Sequence, residues 1–262
     1  MTLRGLDLSN YDTMQYRLSP EYEAAKFVIV QAIAPPEPFT GWEIGGYTAE
    51  QLRCAHWDNK YAGVYVWLWN SFSTSAATKA DIASRLALIP DDVPLDMRLW
   101  LDMEDTTQDH GPPRQQDVLD ALEVMDEWAI THDLPLTGIY SGDWYIRGYM
   151  DAWFPPDRMY WQADYSLSAA EAAEALLPAR PVIQYTSTPC DQDVMLESEI
   201  VSGEVLVPDC DGLITALSYV ADDLGDKLLA EAKRPSGIRK TVVRDIVKEM
   251  ERVREQQVGP RP

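Results

Sequence analysis

The 262-residue chain is long enough for one large α/β domain, or for one domain with an appendage. Its hydrophobic residues, 46% of the total, suffice for a packed core and argue against disorder. The net charge of −21 argues against nucleic acid as the main partner, because phosphate binding relies on clustered Lys and Arg. No apolar stretch reaches the length of about 18 residues that a membrane span needs, so we expect no membrane insertion.

Motifs for bound cofactors and metals are missing from the sequence. The three cysteines show no CxxC spacing, and His56, His110 and His132 are not paired at i and i+4. Structural or surface roles are therefore favoured for the histidines, and we predict no metal and no cofactor. The amino terminus has no secretory apolar segment, so we expect synthesis in a host cytoplasm without a signal peptide.

Short apolar runs alternate with amphipathic segments along most of the chain. The predicted strands are Leu3–Leu8, Phe27–Ile33, Gly63–Leu68, Met97–Met103, Leu136–Tyr140, Met159–Ala163 and Pro181–Tyr185. The predicted helices between them cover about 48–60, 76–88, 114–132 and 168–178. Most strands are continuous apolar runs, which is typical of a parallel sheet covered on both faces. The repetition predicts an α/β barrel of the TIM type, in which the later connections are too short for a full set of eight helices.

The pattern changes near the carboxyl end. Residues 211–232 and Ile238–Val258 read as two helices separated by a Pro-Ser-Gly break. An apolar stripe runs along the second helix at spacings of three or four: Ile238, Val242, Ile246, Met250 and Val253. We predict a barrel domain over 1–208 and a helical extension over 209–262. The stripe makes 236–258 a candidate for self-association or for docking on a virion protein.

The fourth predicted strand ends in a cluster of acids, Leu99-Trp-Leu-Asp102-Met-Glu104-Asp105. Side chains at i and i+2 of a strand share a face, which would place the Asp102 and Glu104 carboxyl groups roughly 7 Å apart. Two carboxyl groups held so close cannot both ionise freely, and one pKa rises far enough to leave a proton donor near neutral pH. The competing interpretation is that these acids only cap a strand and meet solvent.

Further acids and aromatic side chains occur near the ends of the other predicted strands. In a TIM-type barrel the carboxyl ends of the strands form the active site. Acids perform glycosidic chemistry and aromatic rings stack on sugars, so this combination suits a carbohydrate cleft. The residues concerned are Asp7, Tyr65, Trp67, Tyr140, Trp161, Tyr165, Gln184, Tyr185, Asp191 and Asp193. Asp143 and Trp144 either line the cleft or cap the following helix.

Seven short motifs, in order, resemble those of the family 25 glycoside hydrolases, lysozymes of the N,O-diacetylmuramidase type. They are Gly5-Leu-Asp7-Leu-Ser9, Gly63-Val-Tyr65, Leu101-Asp102-Met-Glu104, Thr137-Gly-Ile-Tyr140-Ser, Trp161-Gln-Ala-Asp-Tyr165, Gln184-Tyr185-Thr and Asp191-Gln-Asp193. Together they cover about residues 3–195. The resemblance implies an irregular TIM-like (β/α)5(β)3 barrel, followed here by the helical extension.

The resemblance also implies roles for individual residues. Glu104 would be the general acid, Asp102 would stabilise or orient the reacting centre, and Asp7 and Asp191 would complete the acidic floor. The implied substrate is the β-1,4 bond that follows N-acetylmuramic acid in peptidoglycan. Either its 2-acetamido group attacks as an internal nucleophile or water attacks directly. The residues implied to bind substrate are Tyr65, Trp67, Tyr140, Trp161, Tyr165, Gln184 and Tyr185.

The chain departs from the family pattern at several positions. Gln31 stands where Lys or Arg is common, and Asp193 stands where Asn is usual. Trp67 lies in a Tyr-Val-Trp-Leu-Trp run where the family often places His or a small aromatic residue. These departures concern the surroundings of the carboxyl groups, so they bear on substrate specificity more than on the reaction.

The leading hypothesis is therefore a phage-encoded muramidase, acting as an endolysin at the cell wall or carried in a virion, with peptidoglycan glycan strands as its partner. A structural virion tail module on the same barrel, with weak or lost activity, is the alternative. The strong acidity near an anionic wall and the basic tail favour that alternative, since residues 226–262 hold ten Lys and Arg but six Asp and Glu. A barrel that binds carbohydrate without cutting it is a third possibility.

Overall fold

The computed structural model describes residues 1–9, 17, 19–32, 48–68, 74–104, 112–187 and 190–201. Within these ranges, eight strands form one closed barrel in chain order. The strands are β1 (Thr2–Leu8), β2 (Phe27–Gln31), β3 (Tyr61–Trp67), β4 (Trp100–Asp102), β5 (Gly138–Gly142), β6 (Tyr160–Ala163), β7 (Val182–Thr186) and β8 (Gln192–Leu196). The seven predicted strands are present with displaced ends, and β8 is the strand that apolar runs did not indicate.

The direction of the strands determines which residues meet at each end of the barrel. Strands β1 to β7 are parallel to their neighbours, whereas β8 runs antiparallel to both β7 and β1 and closes the barrel between them. The carboxyl ends of seven strands therefore share one rim with the amino end of β8. This arrangement brings the residues around Asp191 to the same rim as those that end β1 and β4.

Helices fill the connections between the parallel strands. They are α1 (Pro20–Ala24), α2 (Thr48–Trp57), α3 (Ser75–Leu86), α4 (Gln115–Thr131), α5 (Asp143–Tyr149) and α6 (Ala169–Ala175). The first five belong to five βα units, and β6, β7 and β8 follow with the short α6 between β6 and β7. The predicted barrel of five βα units and three further strands is thus confirmed. The predicted extension over 209–262, with its helices at 211–232 and 238–258, lies outside the described residues.

Two apolar layers hold the barrel together. The outer layer packs the helices against the sheet, with buried side chains such as Leu52, Ile82 and Leu122. The inner layer fills the barrel with larger side chains, including Phe27, Met97, Trp100, Trp161 and Met195. None of the helices within the described ranges has the length and apolar character required to cross a membrane.

Glycines on the inner face make room for these large side chains. A Cβ at Gly138 would overlap the indole of Trp100, which is completely buried, and one at Gly5 would overlap the ring of Phe27. Neither ring can withdraw toward solvent, since both lie inside the closed barrel. Large rings packed directly against glycines therefore fill the interior below the rim.

We predict that Gly138→Ala lowers the free energy of unfolding by roughly 1–3 kcal/mol, because the added methyl group overpacks the barrel interior. Urea unfolding followed by tryptophan fluorescence would measure the change. The matched control is Gly148→Ala in α5, where an added Cβ meets nothing within 4 Å. Equal stability of the Gly138→Ala and Gly148→Ala proteins would contradict this account of the interior.

Candidate active site

A cavity of about 200 Å³ opens at the rim where β1 to β7 end. Its lining consists of acids, aromatic residues and neutral polar groups: Asp7, Ser9, Gln31, Tyr65, Trp67, Asp102, Glu104, Tyr140, Trp161, Tyr165, Gln184 and Asp191. None of these twelve residues is basic. All four predicted catalytic acids and six of the seven predicted substrate-binding residues are brought together here.

The acids converge because strand ends and strand periodicity place them there. Asp102 is the last residue of β4, and Glu104 follows two positions later on the same side of the chain. Asp7 is the last residue but one of β1, directly before Leu8. Asp191 directly precedes β8, whose amino end reaches this rim because the strand is antiparallel. The same topology that closes the barrel thus gathers four carboxyl groups around one cavity.

Burial governs the protonation of Asp102 and Glu104. The Asp102 side chain is 4% exposed, and its Oδ1 has no hydrogen-bond partner among the described residues. Desolvation raises the pKa of Asp102 well above its usual range, and the charges of Glu104 and Asp191 raise it further. Desolvation, followed by the charge of Asp191, raises the pKa of Glu104 to about 7. Glu104 is therefore a carboxylic acid that retains its proton close to neutral pH.

A chain of hydrogen bonds fixes Asp7 on the other side of the cavity. The hydroxyl groups of Tyr140 and Tyr165 both donate to Gln184 Oε1, at 2.6 and 2.7 Å. With its carbonyl oxygen occupied in this way, the amide of Gln184 presents Nε2, which donates to Asp7 Oδ2 at 2.8 Å. Burial and the charges of Asp193 and Asp191 raise the pKa of Asp7, whereas the Gln184 bond lowers it. Gln184 therefore has a positioning function, because it orients the Asp7 carboxyl.

The aromatic residues divide into a buried support and an open edge. Trp161 is 1% exposed, and its indole meets the rings of Tyr65, Trp100 and Tyr140 edge-on, with centroids 6.2, 5.7 and 4.6 Å away. Tyr165, by contrast, is 54% exposed at the mouth of the cavity. The buried rings keep the acids away from water, while Tyr165 offers a ring that an entering sugar can contact.

The structure does not bring the predicted residue Tyr185 to the cavity. It follows Gln184 in β7, and successive side chains of a strand point to opposite faces. Tyr185 therefore packs on the outer side with Ala172 and Leu176, and its hydroxyl donates to Gln192 Oε1 at 2.9 Å. We remove Tyr185 from the candidate site for this reason.

Two lining residues, Ser9 and Gln31, were not predicted as site residues. Ser9 lies two positions after Asp7, and Gln31 is the last residue of β2, so the same two-residue periodicity that located Glu104 could have found both. Asp143 begins α5, and neither it nor Trp144 lines the cavity. The N-cap of α5 is Gly142, so Asp143 lies in the first turn of the helix and is not its capping residue.

The acids of the cavity are not arranged as a metal centre. Within the described residues, no group of three or more His, Cys, Asp or Glu side chains has a geometry that could hold a metal ion. His56 instead contacts the Pro94 carbonyl oxygen at 2.7 Å, and His132 stacks on Trp128 with centroids 3.7 Å apart. The described histidines are thus engaged in packing and hydrogen bonding away from the cavity.

We predict that Asp191→Asn lowers the pKa of Glu104 from about 7, because removing a neighbouring negative charge makes ionisation of Glu104 easier. Carboxyl ¹³C NMR of protein labelled at glutamate, with the resonance assigned by Glu104→Gln, would follow the titration. The control is Asp157→Asn, which removes an exposed carboxyl group and should leave the titration unchanged. A Glu104 carboxyl that titrates near 4.5 in the native protein would refute this electrostatic description.

The fold was compared with known proteins. No family model matches the chain, and no curated protein matches its sequence. Solved structures do match, at low sequence identity. The modular autolysin LytC from Streptococcus pneumoniae, in complex with a synthetic peptidoglycan ligand, shares 16% identity at a TM-score of 0.54, and the match covers 74% of this chain and 47% of LytC. The chain thus spans about half the length of that protein.

Two single-domain matches cover nearly their whole length. The family GH25 lysozyme from Aspergillus fumigatus matches at 16% identity and a TM-score of 0.54, over 75% of this chain and 94% of the lysozyme. The catalytic domain of endolysin ply40 from bacteriophage P40 of Listeria monocytogenes matches at 14% identity and a TM-score of 0.51, over 76% and 95%. The described part of this chain therefore has the barrel fold of the GH25 lysozymes.

Proposed function

We propose that this protein is a muramidase, which hydrolyses the β-1,4 bond between N-acetylmuramic acid and N-acetylglucosamine in peptidoglycan. The observation that carries the proposal is the pair formed by Glu104, whose burial raises its pKa to about 7, and the more deeply buried Asp102. The similarity of the barrel to the GH25 lysozymes supports the same assignment at the level of the fold. The phage endolysin match further supports an origin in a phage lysis system.

In the proposed reaction, Glu104 donates its proton to the glycosidic oxygen as the bond to the leaving sugar breaks. Positive charge then develops on the anomeric carbon and ring oxygen of the other sugar. Before this step Asp102 releases its proton to solvent, and the resulting carboxylate attracts the developing positive charge, which lowers the cost of that ionisation. Glu104, now ionised, takes its proton back from the water that opens the acetamido intermediate, or from solvent where another carboxylate has accepted the proton of the attacking water.

The charge of the cavity suits this transition state and disfavours other reactions. None of the lining residues in the described part of the chain is basic, so among them a developing cation meets only acids and neutral groups. Phosphoryl transfer would instead place growing negative charge among carboxyl groups that carry no compensating cation. The same carboxyl groups that are costly to ionise in the empty cavity are stabilised when a positively charged sugar ring occupies it.

The nucleophile is either the substrate 2-acetamido group or a water molecule. With the acetamido group, Asp102 would orient the amide and stabilise the ring that it forms. With water, Asp102, Asp7 or Asp191 would accept a proton from the attacking molecule. Product stereochemistry separates the two routes, since participation by the acetamido group retains the anomeric configuration and direct attack by water inverts it.

Glu104→Gln should reduce the release of reducing ends from purified peptidoglycan by on the order of a hundredfold or more, because the amide cannot act as a general acid. Mass spectrometry of the products released by the native protein should show N-acetylmuramic acid at the new reducing end. The matched control, Glu127→Gln, changes an exposed position of α4 and should retain the native rate.

Unchanged activity in a folded Glu104→Gln protein would exclude Glu104 as the acid. If the folded native protein released no reducing ends from several wall types, the muramidase proposal would fail, and the virion tail module or carbohydrate-binding barrel would replace it. A binding experiment with the same peptidoglycan fragments would then separate those two alternatives.

The value of kcat/KM should fall as the pH rises, with a midpoint near pH 7, because burial raises the pKa of Glu104 to about 7. Above that pH the rate should fall about tenfold per pH unit, because only the protonated acid is active. Asp191→Asn should displace this limb to lower pH, in parallel with the NMR titration. A rate that stays constant up to pH 9 would contradict the assignment of the acid.

A further inference from the structure

Asp193 is a buried carboxyl group beneath the cavity floor that the proposed reaction does not use. It lies in β8, where its backbone pairs with Gly5 of β1 on one side and with Gln184 of β7 on the other. Its side chain is completely buried. Because Gly5 carries no side chain, the neighbour that the Asp193 carboxyl meets on β1 is Asp7, two residues further along the same face.

Among the described residues, only one of the two Asp193 carboxyl oxygens has a hydrogen-bond donor. Trp161 Nε1 donates to Asp193 Oδ1 at 2.9 Å. Asp193 Oδ2 is buried and receives no N–H or hydroxyl donor from the described residues. The register of β1 and β8 places the carboxyl groups of Asp7 and Asp193 on the same face of adjacent strands, and the charge of Asp193 raises the pKa of Asp7. Two carboxylates cannot hydrogen-bond to each other, so a bond between these neighbours, which would satisfy Asp193 Oδ2, requires one of them to be protonated.

Among the described residues, the groups that face the pair provide no positive charge to replace that proton. Asp191 adds a third carboxyl group, while Trp161 of β6 and Gln184 of β7 are neutral donors. Desolvation and neighbouring carboxyl groups raise the pKa of Asp7 and that of Asp193 well above their usual range. Ionising both would leave two adjacent negative charges in a closed interior, which is strongly unfavourable.

We propose that Asp7 and Asp193 hold one proton between them at neutral pH, and that Asp193 is thereby a positioning residue for Asp7. The pair then acts as a single negative charge, anchored by Trp161 at one end and by Gln184 at the other. Asp7 is held at the cavity floor in one orientation without contributing a second charge near Glu104. The positioning role rests on the proposed function, whereas the shared proton does not.

An asparagine at position 193 would reproduce this arrangement without the proton. Its Oδ1 accepts from Trp161 and its Nδ2 donates to Asp7, which is then free to ionise with a permanent donor beside it. Asp193→Asn therefore mimics the singly protonated pair at every pH. Asp193→Ala removes both hydrogen bonds and leaves Asp7 and Trp161 without these partners.

The first readout is the melting temperature as a function of pH. In the native protein the shared proton is released on unfolding, because carboxyl groups in the unfolded chain ionise near 3.8. Stability should therefore fall as pH rises from that value toward the raised pKa values of the folded pair. The Asp193→Asn protein has no shared proton to release, so its stability should not fall in this way. The difference between its melting temperature and that of the native protein should therefore increase from pH 5 to pH 8. The surface control Asp157→Asn should follow the native curve.

The second readout is the infrared spectrum of protein labelled with ¹³C at the aspartate carboxyl groups. At pH 7 the native protein and Asp157→Asn should show a band from protonated aspartic acid, and its intensity should decrease in Asp193→Asn. Parallel melting curves with an unchanged band would overturn the shared proton. An Asp193→Asn protein that fails to fold would overturn it too, because the amide should satisfy both neighbours.

The third readout is hydrolysis of peptidoglycan at pH 6. If Asp193 acts by positioning Asp7, Asp193→Ala should lose about tenfold or more in kcat, and Asp193→Asn should recover most of that loss. Equal rates in the two folded variants would overturn the positioning role. If the native protein does not cleave peptidoglycan, the proposed function and the positioning role fail, while the melting and infrared results still decide whether the proton is shared.

Discussion

The main constraint on this structure is that several carboxyl groups are buried close together, with no cation among the described residues that line the cavity. Asp7, Asp102 and Asp193 are almost fully buried, and Glu104 is partly so. On a protein surface, the same carboxyl groups would all be ionised and hydrated at neutral pH. Here burial raises the pKa values of these groups, so we expect some of them to keep a proton near neutral pH and to serve as acids.

The barrel tolerates this cost because the rest of its interior is packed with large apolar rings. Trp100 and Trp161 fill the interior near the acids, and Gly138 beside Trp100 permits that packing. Neutral donors then satisfy the carboxyl oxygens at fixed positions, Gln184 on Asp7 and the indole of Trp161 on Asp193. In the proposed reaction, the positive charge that would compensate the acids is supplied only by the transition state.

Much of this site could be predicted from the sequence, because period-two side-chain alternation and the shared rim of parallel strands are local rules. They located Asp102 and Glu104 together and brought Asp7 and Asp191 to the same end. Tyr185 was misplaced because it was grouped with Gln184, whereas neighbouring residues of one strand face opposite ways. The eighth strand was not indicated by an apolar run, since it begins with the polar residues Gln192 and Asp193 and only three apolar residues follow them.

The hydrogen-bond partners of the acids were beyond sequence reasoning. That Tyr140 and Tyr165 fix the amide of Gln184, or that Trp161 reaches Asp193 across 32 residues, depends on ring positions inside the closed barrel. The short helix α1 was also missed, since five residues give too little periodicity to recognise. The protonation of each carboxyl group depends on its burial and on the groups around it in space, which the residue types alone do not give.

Neutron diffraction from crystals of the perdeuterated protein near neutral pD tests the central claim most directly, because it locates the protons themselves. The account predicts one deuteron on the Glu104 carboxyl in a substantial fraction of molecules and one between Asp7 and Asp193. A nuclear density map in which the carboxyl groups of the cavity all lack deuterons would contradict it. In that case burial would not hold protons on these acids, and the proposed acid catalysis would have no donor.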